Sequence, residues 1–321
     1  CLQKGCISNE KIMIKNKLPI NPESYSSSQI LRPGRFPSWL HRKLPRGTNL
    51  SHTQQILTKH RLNTVCEEAK CPNRFECYSK HTATFLALGK QCTRNCGFCD
   101  IDFSKTPKPP ETDEPSRIAL CTQELGLKHV VITMVARDDL IDKGASHMAA
   151  IIRQIRIECK GVTVEVLTSD FSEDYAAIDL LLKEQPDIFN HNLETVEELT
   201  SRVRHKATYL SSLNILSYVK QSHKTQFIKS GLMVGLGETP EQVKKAINDL
   251  KTAGCDIITI GQYLQANRKK LLVKEFITPE QFQEYAVYGR EIGIKQMFCG
   301  PFVRSSYHAH EVKNLMTEAS F

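Results

Sequence analysis

An α/β fold, a parallel sheet wrapped by helices, is what this sequence predicts, and three observations carry it. From about Thr82 onward, apolar β-branched runs alternate with amphipathic segments of helix length. A loop crowded with cysteines directly follows the first of those runs. The chain has 321 residues, 40% of them apolar, which suffices for a substantial core in one large or two ordinary domains.

Strands are read at 82–88, 130–135, 162–168, 188–192, 228–235 and 257–261, and a further apparent strand at 296–302. Helices are read between them at 145–159, 174–184, 194–203, 210–220 and 240–253. This is repeated βα, which makes neighbouring strands parallel. Alternation alone fits a doubly wound sheet as well as an open six-stranded (β/α)6 partial barrel. The longest apolar runs, at 178–182 and 257–260, are far too short to span a membrane. The stretch up to about Ser28 mixes lysines, glutamates and serines without an apolar core, and is read as disordered rather than as a targeting segment. The chain opens on Cys1, which is read as a processed or trimmed start.

The formal charge is +8, with basic groups at Arg42, Lys43 and Arg46, at 202–206 and at Arg268-Lys269-Lys270. A basic surface attracts acidic partners. Aromatic residues make up only 7% of the chain and none interleaves with the basic runs, so nucleic-acid binding is not expected and an acidic protein partner fits better.

Six of the twelve cysteines fall in two triplets, Cys66-x4-Cys71-x5-Cys77 and Cys92-x3-Cys96-x2-Cys99. Structural zinc takes four ligands at one site, usually as two pairs, and odd triplets do not supply them. Disulfides belong to small secreted chains, and this one is long and has no secretory signal. Three thiolates can hold three irons of a cubic iron–sulfur cluster and leave the fourth open to another ligand. Two triplets therefore ask for two clusters. Cys121, Cys159, Cys255 and Cys299 share no spacing and are read as small apolar fillers.

The second triplet, with Phe98 just before its last cysteine, resembles the motif of the radical S-adenosylmethionine superfamily. Further blocks narrow the likeness: Thr64-Val65-Cys66-Glu67-Glu68-Ala69-Lys70-Cys71-Pro72-Asn73, Arg137-Asp138-Asp139-Leu140, Asn190-His191-Asn192-Leu193-Glu194-Thr195, the glycine-rich segment from Gly231 through Gly235 to Gly237-Glu238, Gly261-Gln262-Tyr263-Leu264-Gln265 and Arg304-Ser305-Ser306-Tyr307-His308-Ala309. Together, from about Pro37 to the C-terminal tail, they are similar to the lipoyl synthase family.

That resemblance selects the open (β/α)6 partial TIM barrel, with cofactor and substrate at the C-terminal strand ends and with N- and C-terminal extensions. It implies a disordered segment at 1–36, an extension at 37–80 with the auxiliary-cluster cysteines, a barrel at 81–292 and a C-terminal extension at 293–321. It implies a sulfurtransferase that inserts two sulfur atoms, at C6 and C8, into a protein-bound octanoyl-lysine. Cys92, Cys96 and Cys99 would hold the 4Fe–4S cluster that cleaves S-adenosylmethionine, with Phe98 by the adenine. His191, Asn192 and Glu194 would bind its ribose and methionine parts, and Arg204 its carboxylate. A competing reading has Asn190-His191-Asn192 cap a helix starting near Glu194. Cys66, Cys71 and Cys77 would hold an auxiliary 4Fe–4S cluster with Ser306 as fourth ligand and catalytic residue, Ser305 being the alternate. Gln262 and Tyr263 would lie near an octanoyl tunnel.

Partners implied are octanoylated carrier domains (2-oxoacid dehydrogenase subunits or the glycine cleavage H protein), an electron donor such as ferredoxin or flavodoxin, and iron–sulfur assembly proteins. No nucleic acid or membrane partner is implied, and the location expected is cytoplasmic, with a mitochondrial or plastid matrix as the alternative. The chain departs from the family pattern at Ala136, where aspartate is usual, and at 202–206, which lacks a Pro-Gly after the arginine. Rival readings are another sulfur-inserting radical enzyme, whose auxiliary ligands would lie elsewhere, and an electron carrier, which has no need of a barrel.

Overall fold

The alternating runs become the strands of one sheet. A computed structural model describes residues 36–41, 49–80 and 82–306. The described residues from Ser38 onward form one compact unit; the segment to Ser28 and Tyr307 lie outside the described residues. In chain order the strands are β1 (Thr84–Ala87), β2 (Gln91–Cys92), β3 (Asp102–Phe103), β4 (His129–Met134), β5 (Thr163–Leu167), β6 (Ile188–Asn190), β7 (Phe227–Val234), β8 (Ile257–Gln262) and β9 (Gln296–Gly300). The order β1-β4-β5-β6-β7-β8-β9 makes a seven-stranded sheet, with β2 and β3 a small separate pair. Every neighbouring pair is parallel.

β1 and β9 are edges, so the barrel stays open. The sheet carries one strand more than the expected six, because the run at 296–300 pairs with β8 from Ile257↔Gln296 to Gly261↔Gly300. The β1 edge does not face solvent bare. Thr64 bridges antiparallel to Phe85, and the Leu86 amide donates to the Asn63 carbonyl at 2.9 Å. An edge covered this way is no template for another chain, and it brings the first cysteine segment beside β1.

Helices pack on one face of the sheet through fully buried side chains such as Ile118, Ile151, Ile155, Leu181, Ile215 and Leu250. Each such side chain contributes about 1.5–3 kcal/mol by leaving water. Start signals are local: the Thr208 hydroxyl accepts from the Ser211 amide, Thr239 from Gln242 and Thr278 from Gln281. The helix expected from 194 begins only at Glu197, with Val196 at its cap and no side-chain capping bond. Glu194 sits before it at φ +68°, bridges parallel to Leu232 and donates its amide to the Gly231 carbonyl. The capping role weighed for residues 190–192 is therefore absent.

Period-2 alternation puts Glu165, Asn190 and Lys229 on the opposite face from Val164, Val166, Phe189 and Ile228. Glu165 is fully buried and accepts from Lys229 Nζ at 2.9 and 3.1 Å and from Asn190 Nδ2 at 2.9 Å. Burial opposes the Glu165 charge, but Lys229 and then His129 outweigh it and hold the carboxyl below its ordinary range. Two residues earlier on β6 and β7, Ile188 and Phe227 close a small apolar layer with Ile257 of β8 and Phe298 of β9. Lys229→Met leaves that carboxylate buried without its cation, with an expected loss of about 3–5 kcal/mol in the unfolding free energy from urea titration. Replacing both, Lys229→Met with Glu165→Leu, should recover most of it; a single variant as stable as the parent would show that the pair does not hold the lumen.

Candidate metal and cofactor site

The loop after β1 leaves the sheet through Leu88 and Gly89, both at positive φ, and carries Cys92, Cys96 and Cys99. Its shape is set by bonds to neighbouring strand ends. The Thr93 amide and hydroxyl both donate to the Ala136 carbonyl at 3.0 Å, and the Asp138 amide donates to the Thr93 hydroxyl. Since position 136 works through its backbone, alanine there keeps the contact. Arg94, almost wholly buried, forks onto Asp138 (Nη2 to Oδ1 2.8 Å) and pairs with Asp170 at 2.6 Å, tying the cysteine loop to the ends of β4 and β5. The Gly97 amide donates to the Val203 carbonyl at 2.9 Å, and Gly97 accepts from the Leu271 amide at 3.0 Å.

Backbone amides point at sulfur: Arg94 N to Cys92 Sγ at 3.4 Å and His205 N to Cys96 Sγ at 3.5 Å. Burial raises the Cys92 and Cys96 thiols and pushes Cys99 up to about 12. Arg204 draws Cys96 down while Glu194 and Cys92 raise it, so Arg204 and Glu194 are electrostatic neighbours of this thiol. Phe98 packs against the apolar cluster of Val203, Leu236 and Tyr263, and so lies beside the glycine-rich turn after β7.

The structure brings Asn192, Glu194 and Arg204 to one place and turns His191 away. Asn192 Nδ2 donates to Glu194 Oε1 at 3.0 Å. Burial raises Glu194 against the pull of Arg204 and lowers Arg204 against the pull of Glu194. His191 is 2% exposed, with Nδ1 at 3.0 Å from the Thr168 carbonyl and Nε2 at 3.0 Å from Ser212 Oγ. Ser212 also accepts from Arg204 Nη1 at 2.6 Å. Both ring nitrogens are engaged inside the protein, and through Ser212 the ring braces Arg204. Gln262 and Tyr263 are likewise committed: the Gln262 amide bonds Val234, Glu275 and Ile277, and the Tyr263 hydroxyl donates to the Leu271 carbonyl. They hold the loop after β8.

The second cavity gathers residues far apart in sequence. Cys66, Cys71, Cys77, Asn73, Thr84, His129, Arg304 and Ser306 line it. Thr84 Oγ1 donates to Ser306 Oγ at 2.8 Å, Asn73 Nδ2 to the Phe302 carbonyl at 2.7 Å, and Ser305 Oγ to Asn192 Oδ1 at 2.8 Å. Of the two serines, Ser306 lines the cavity, while Ser305 ties the tail to Asn192, just after β6. The tail lies close because Gly231 and Gly261 lack side chains. A Cβ on Gly231 would sit 2.8 Å from Asn192 Oδ1 and 3.0 Å from Ser305 Oγ, and one on Gly261 would collide with the Val303 carbonyl.

Burial, then Cys71, pushes Cys66 up to about 12, and burial, then Cys71, pushes Cys77 up to about 11. Such thiols ionise on binding metal and release protons as they do. All six triplet thiols are free of disulfides. Among the described residues no three His, Cys, Asp or Glu side chains converge as ligands of a single ion; a cubane instead takes each thiolate on a different iron, and the soft donor set fits it. Of the remaining cysteines, Cys121, Cys159 and Cys255 are buried and Cys299 partly so, as fillers are.

Thr84, Asn73, Arg94, Asp138, Asp170 and Asp100 belong to the site but were not singled out from sequence for any role. Arg94 lies inside the cysteine motif and Asn73 and Asp138 in the family-like blocks, so motif position is the available signal for those three. Thr84, the one polar residue in β1, had only its place in an apolar run to mark it.

An open parallel barrel with three thiols on the loop after its first strand defines a radical S-adenosylmethionine enzyme, and the model of that superfamily matches residues 86–250. Such an enzyme carries a 4Fe–4S cluster and S-adenosylmethionine. Residues 14–71 match the N-terminal domain of lipoyl synthase, and the lipoyl synthase of Protochlamydia amoebophila is 58% identical over 92% of this chain and 92% of its own. That of Chlamydia muridarum is 49% identical over 93% of this chain and 96% of its own. The chain belongs to the lipoyl synthase family. It is a radical sulfurtransferase whose reaction inserts two sulfur atoms into a protein-bound octanoyl-lysine to form lipoyl-lysine. Among solved structures, Streptococcus suis SuiB matches with a TM-score of 0.54 at 12% identity, over 79% of this chain and 55% of that one. Methylornithine synthase matches with 0.50 at 12% identity, over 66% and 69%; these share the fold. Among the described residues no helix is long and apolar enough to cross a membrane.

His191 gives a measurable consequence. Burial, then Arg204, lowers it to about 4 from an ordinary 6.5. The neutral ring therefore contributes stability that is full above pH 6.5 and is lost as pH falls from there toward 4. Proton–nitrogen NMR of the imidazole should show no protonation down to pH 5 or so; a midpoint near 6.5 would mean the ring is not sealed.

Proposed function

We propose that this chain works with two 4Fe–4S clusters, one on Cys92, Cys96 and Cys99 and an auxiliary one on Cys66, Cys71, Cys77 and Ser306. When bound, the first with S-adenosylmethionine supplies a 5′-deoxyadenosyl radical, and the auxiliary one supplies sulfide. The observation that carries this reading is the cavity lined by three thiols and the Ser306 hydroxyl, which comes from the far end of the chain. A serine oxygen is a harder ligand than thiolate and is more easily released from iron, which suits a group that is consumed.

The chain's own residues then have separable tasks. Glu194 and Arg204, half-buried electrostatic neighbours of Cys96, suit the amino and carboxylate groups of a methionine moiety. Asn192 links that pair to the tail through Ser305. The 303–306 segment, lying against Gly231 and Gly261, keeps water from the space between the two cysteine groups, where a carbon radical would otherwise be quenched. The substrates proposed are octanoylated carrier domains of 2-oxoacid dehydrogenases or the glycine cleavage H protein, met by the basic surface. Ferredoxin or flavodoxin would donate electrons, and iron–sulfur assembly proteins would restore the auxiliary cluster.

Mass spectrometry of an octanoylated carrier peptide after anaerobic turnover tests the reading: a gain of two sulfur atoms supports it, and release of 5′-deoxyadenosine with no sulfur gained refutes it. Cys92→Ala, Cys96→Ala and Cys99→Ala should each abolish 5′-deoxyadenosine. Cys66→Ala should keep that cleavage and lose sulfur insertion; loss of both activities in protein still carrying the first cluster would count against separate roles.

Ser306→Ala should leave the fold and 5′-deoxyadenosine formation intact and block sulfur transfer. Ser306→Cys should give a longer-lived auxiliary cluster by Mössbauer spectroscopy and at least about tenfold slower product formation. Unchanged product in both variants, with Ser305→Ala also active, would show that the auxiliary site takes its fourth ligand elsewhere.

A further inference from the structure

Asp100 directly follows Cys99, and its carboxylate is 7% exposed. A carboxylate so far from water is costly unless its oxygens are partnered. Both are, by residues from two other loops. Oδ2 pairs with Lys70 Nζ at 2.7 Å, and Lys70 directly precedes Cys71. Oδ1 accepts from Asn267 Nδ2, in the loop after β8. That loop is itself braced: Asn267 Oδ1 accepts from the Lys269 amide at 2.8 Å, Gln265 Nε2 donates to the Lys270 carbonyl at 2.8 Å, and the Leu271 amide returns to the Gly97 carbonyl at 3.0 Å. One carboxylate thus joins the Cys66–Cys77 segment, the Cys92–Cys99 segment and the loop over them.

We infer that Asp100 is a positioning residue that sets the separation of the two cysteine segments, so that one substrate carbon is within reach of both the hydrogen-abstracting radical and the sulfur source. The inference rests on the two-cluster reading above. Lys70 is 59% exposed, and an ion pair so open to solvent adds little to stability. Its geometric effect is larger. A misplacement on the order of 1 Å between reacting groups costs about 100-fold in rate, and here it would fall on sulfur capture while hydrogen abstraction continued. The signature is uncoupling: more 5′-deoxyadenosine released per sulfur inserted.

The test uses the full chain with both clusters reconstituted, turned over anaerobically with an octanoylated peptide, 5′-deoxyadenosine and sulfur-bearing products being counted in the same sample. Asp100→Ala, Asp100→Asn and Lys70→Ala are compared with the parent. Lys70→Ala alters an exposed side chain and leaves Asp100 and its Asn267 bond in place, so it folds whether or not the Asp100 variants do. The ratio of 5′-deoxyadenosine to inserted sulfur should rise about 10- to 100-fold in Asp100→Ala, and in the same direction by less in Asp100→Asn and Lys70→Ala. A parental ratio in Lys70→Ala and Asp100→Asn overturns the inference, even if both products fall together, since parallel loss is what a purely structural residue gives. A parent that inserts no sulfur would instead refute the functional reading, which keeps the two failures apart.

Discussion

The tail reaches the first cysteine group because two neighbouring strands of the sheet carry glycine where a side chain would block it. Gly231 on β7 and Gly261 on β8 leave room for the segment 303–306, whose Ser305 then bonds Asn192 and whose Ser306 meets Thr84. With a Cβ at Gly261 the Val303 backbone would have to move, and a backbone shift cannot be absorbed by a rotamer change. The seventh strand serves the same end: by pairing with β8 it delivers the chain to the mouth of the barrel just before the serines. The tail's approach to the first cysteine group depends on that clearance.

A second constraint is electrostatic. The site and the lumen beneath it bury charge in matched sets, Glu165 with Lys229 and Arg94 with Asp138 and Asp170, and the half-buried Glu194 and Arg204 pull on each other electrostatically. Isolated, each group would cost several kcal/mol to bury. Paired, they are also directional, and Arg94 uses its fork to lock the cysteine loop to two strand ends. Neutral His191 fits the pattern: a protonated ring beside Arg204 would add an unmatched charge, so its nitrogens go to Thr168 and Ser212 instead.

The two triplets and the alternation of strands and helices were legible in the sequence, because thiol spacing and period-2 or helical patterning are local properties. Residues whose part depends on what lies across the fold were not. Gln262 and Tyr263 sit in a suggestive block, yet their polar atoms are consumed by the loop after β8. Glu194 has the composition of a helix start, but pairing with β7 holds it in left-handed backbone and moves the start to Glu197. Asp100 looks like any acid after a cysteine until Lys70 and Asn267 arrive from other loops.

By itself, then, the amino-acid order determined the donor atoms: which thiols occur at cluster spacing, which runs pair in parallel, and that the family is lipoyl synthase. Only the tertiary structure put Ser306 rather than Ser305 at the cavity, turned His191 inward, paired the apparent strand near residue 296 with β8 and brought Lys70, Asp100 and Asn267 together. The reason is physical: ligand type and periodicity are encoded over a few residues, whereas hydrogen-bond partners and steric clearance are set by side chains more than a hundred positions apart, as with Asn192 and Ser305.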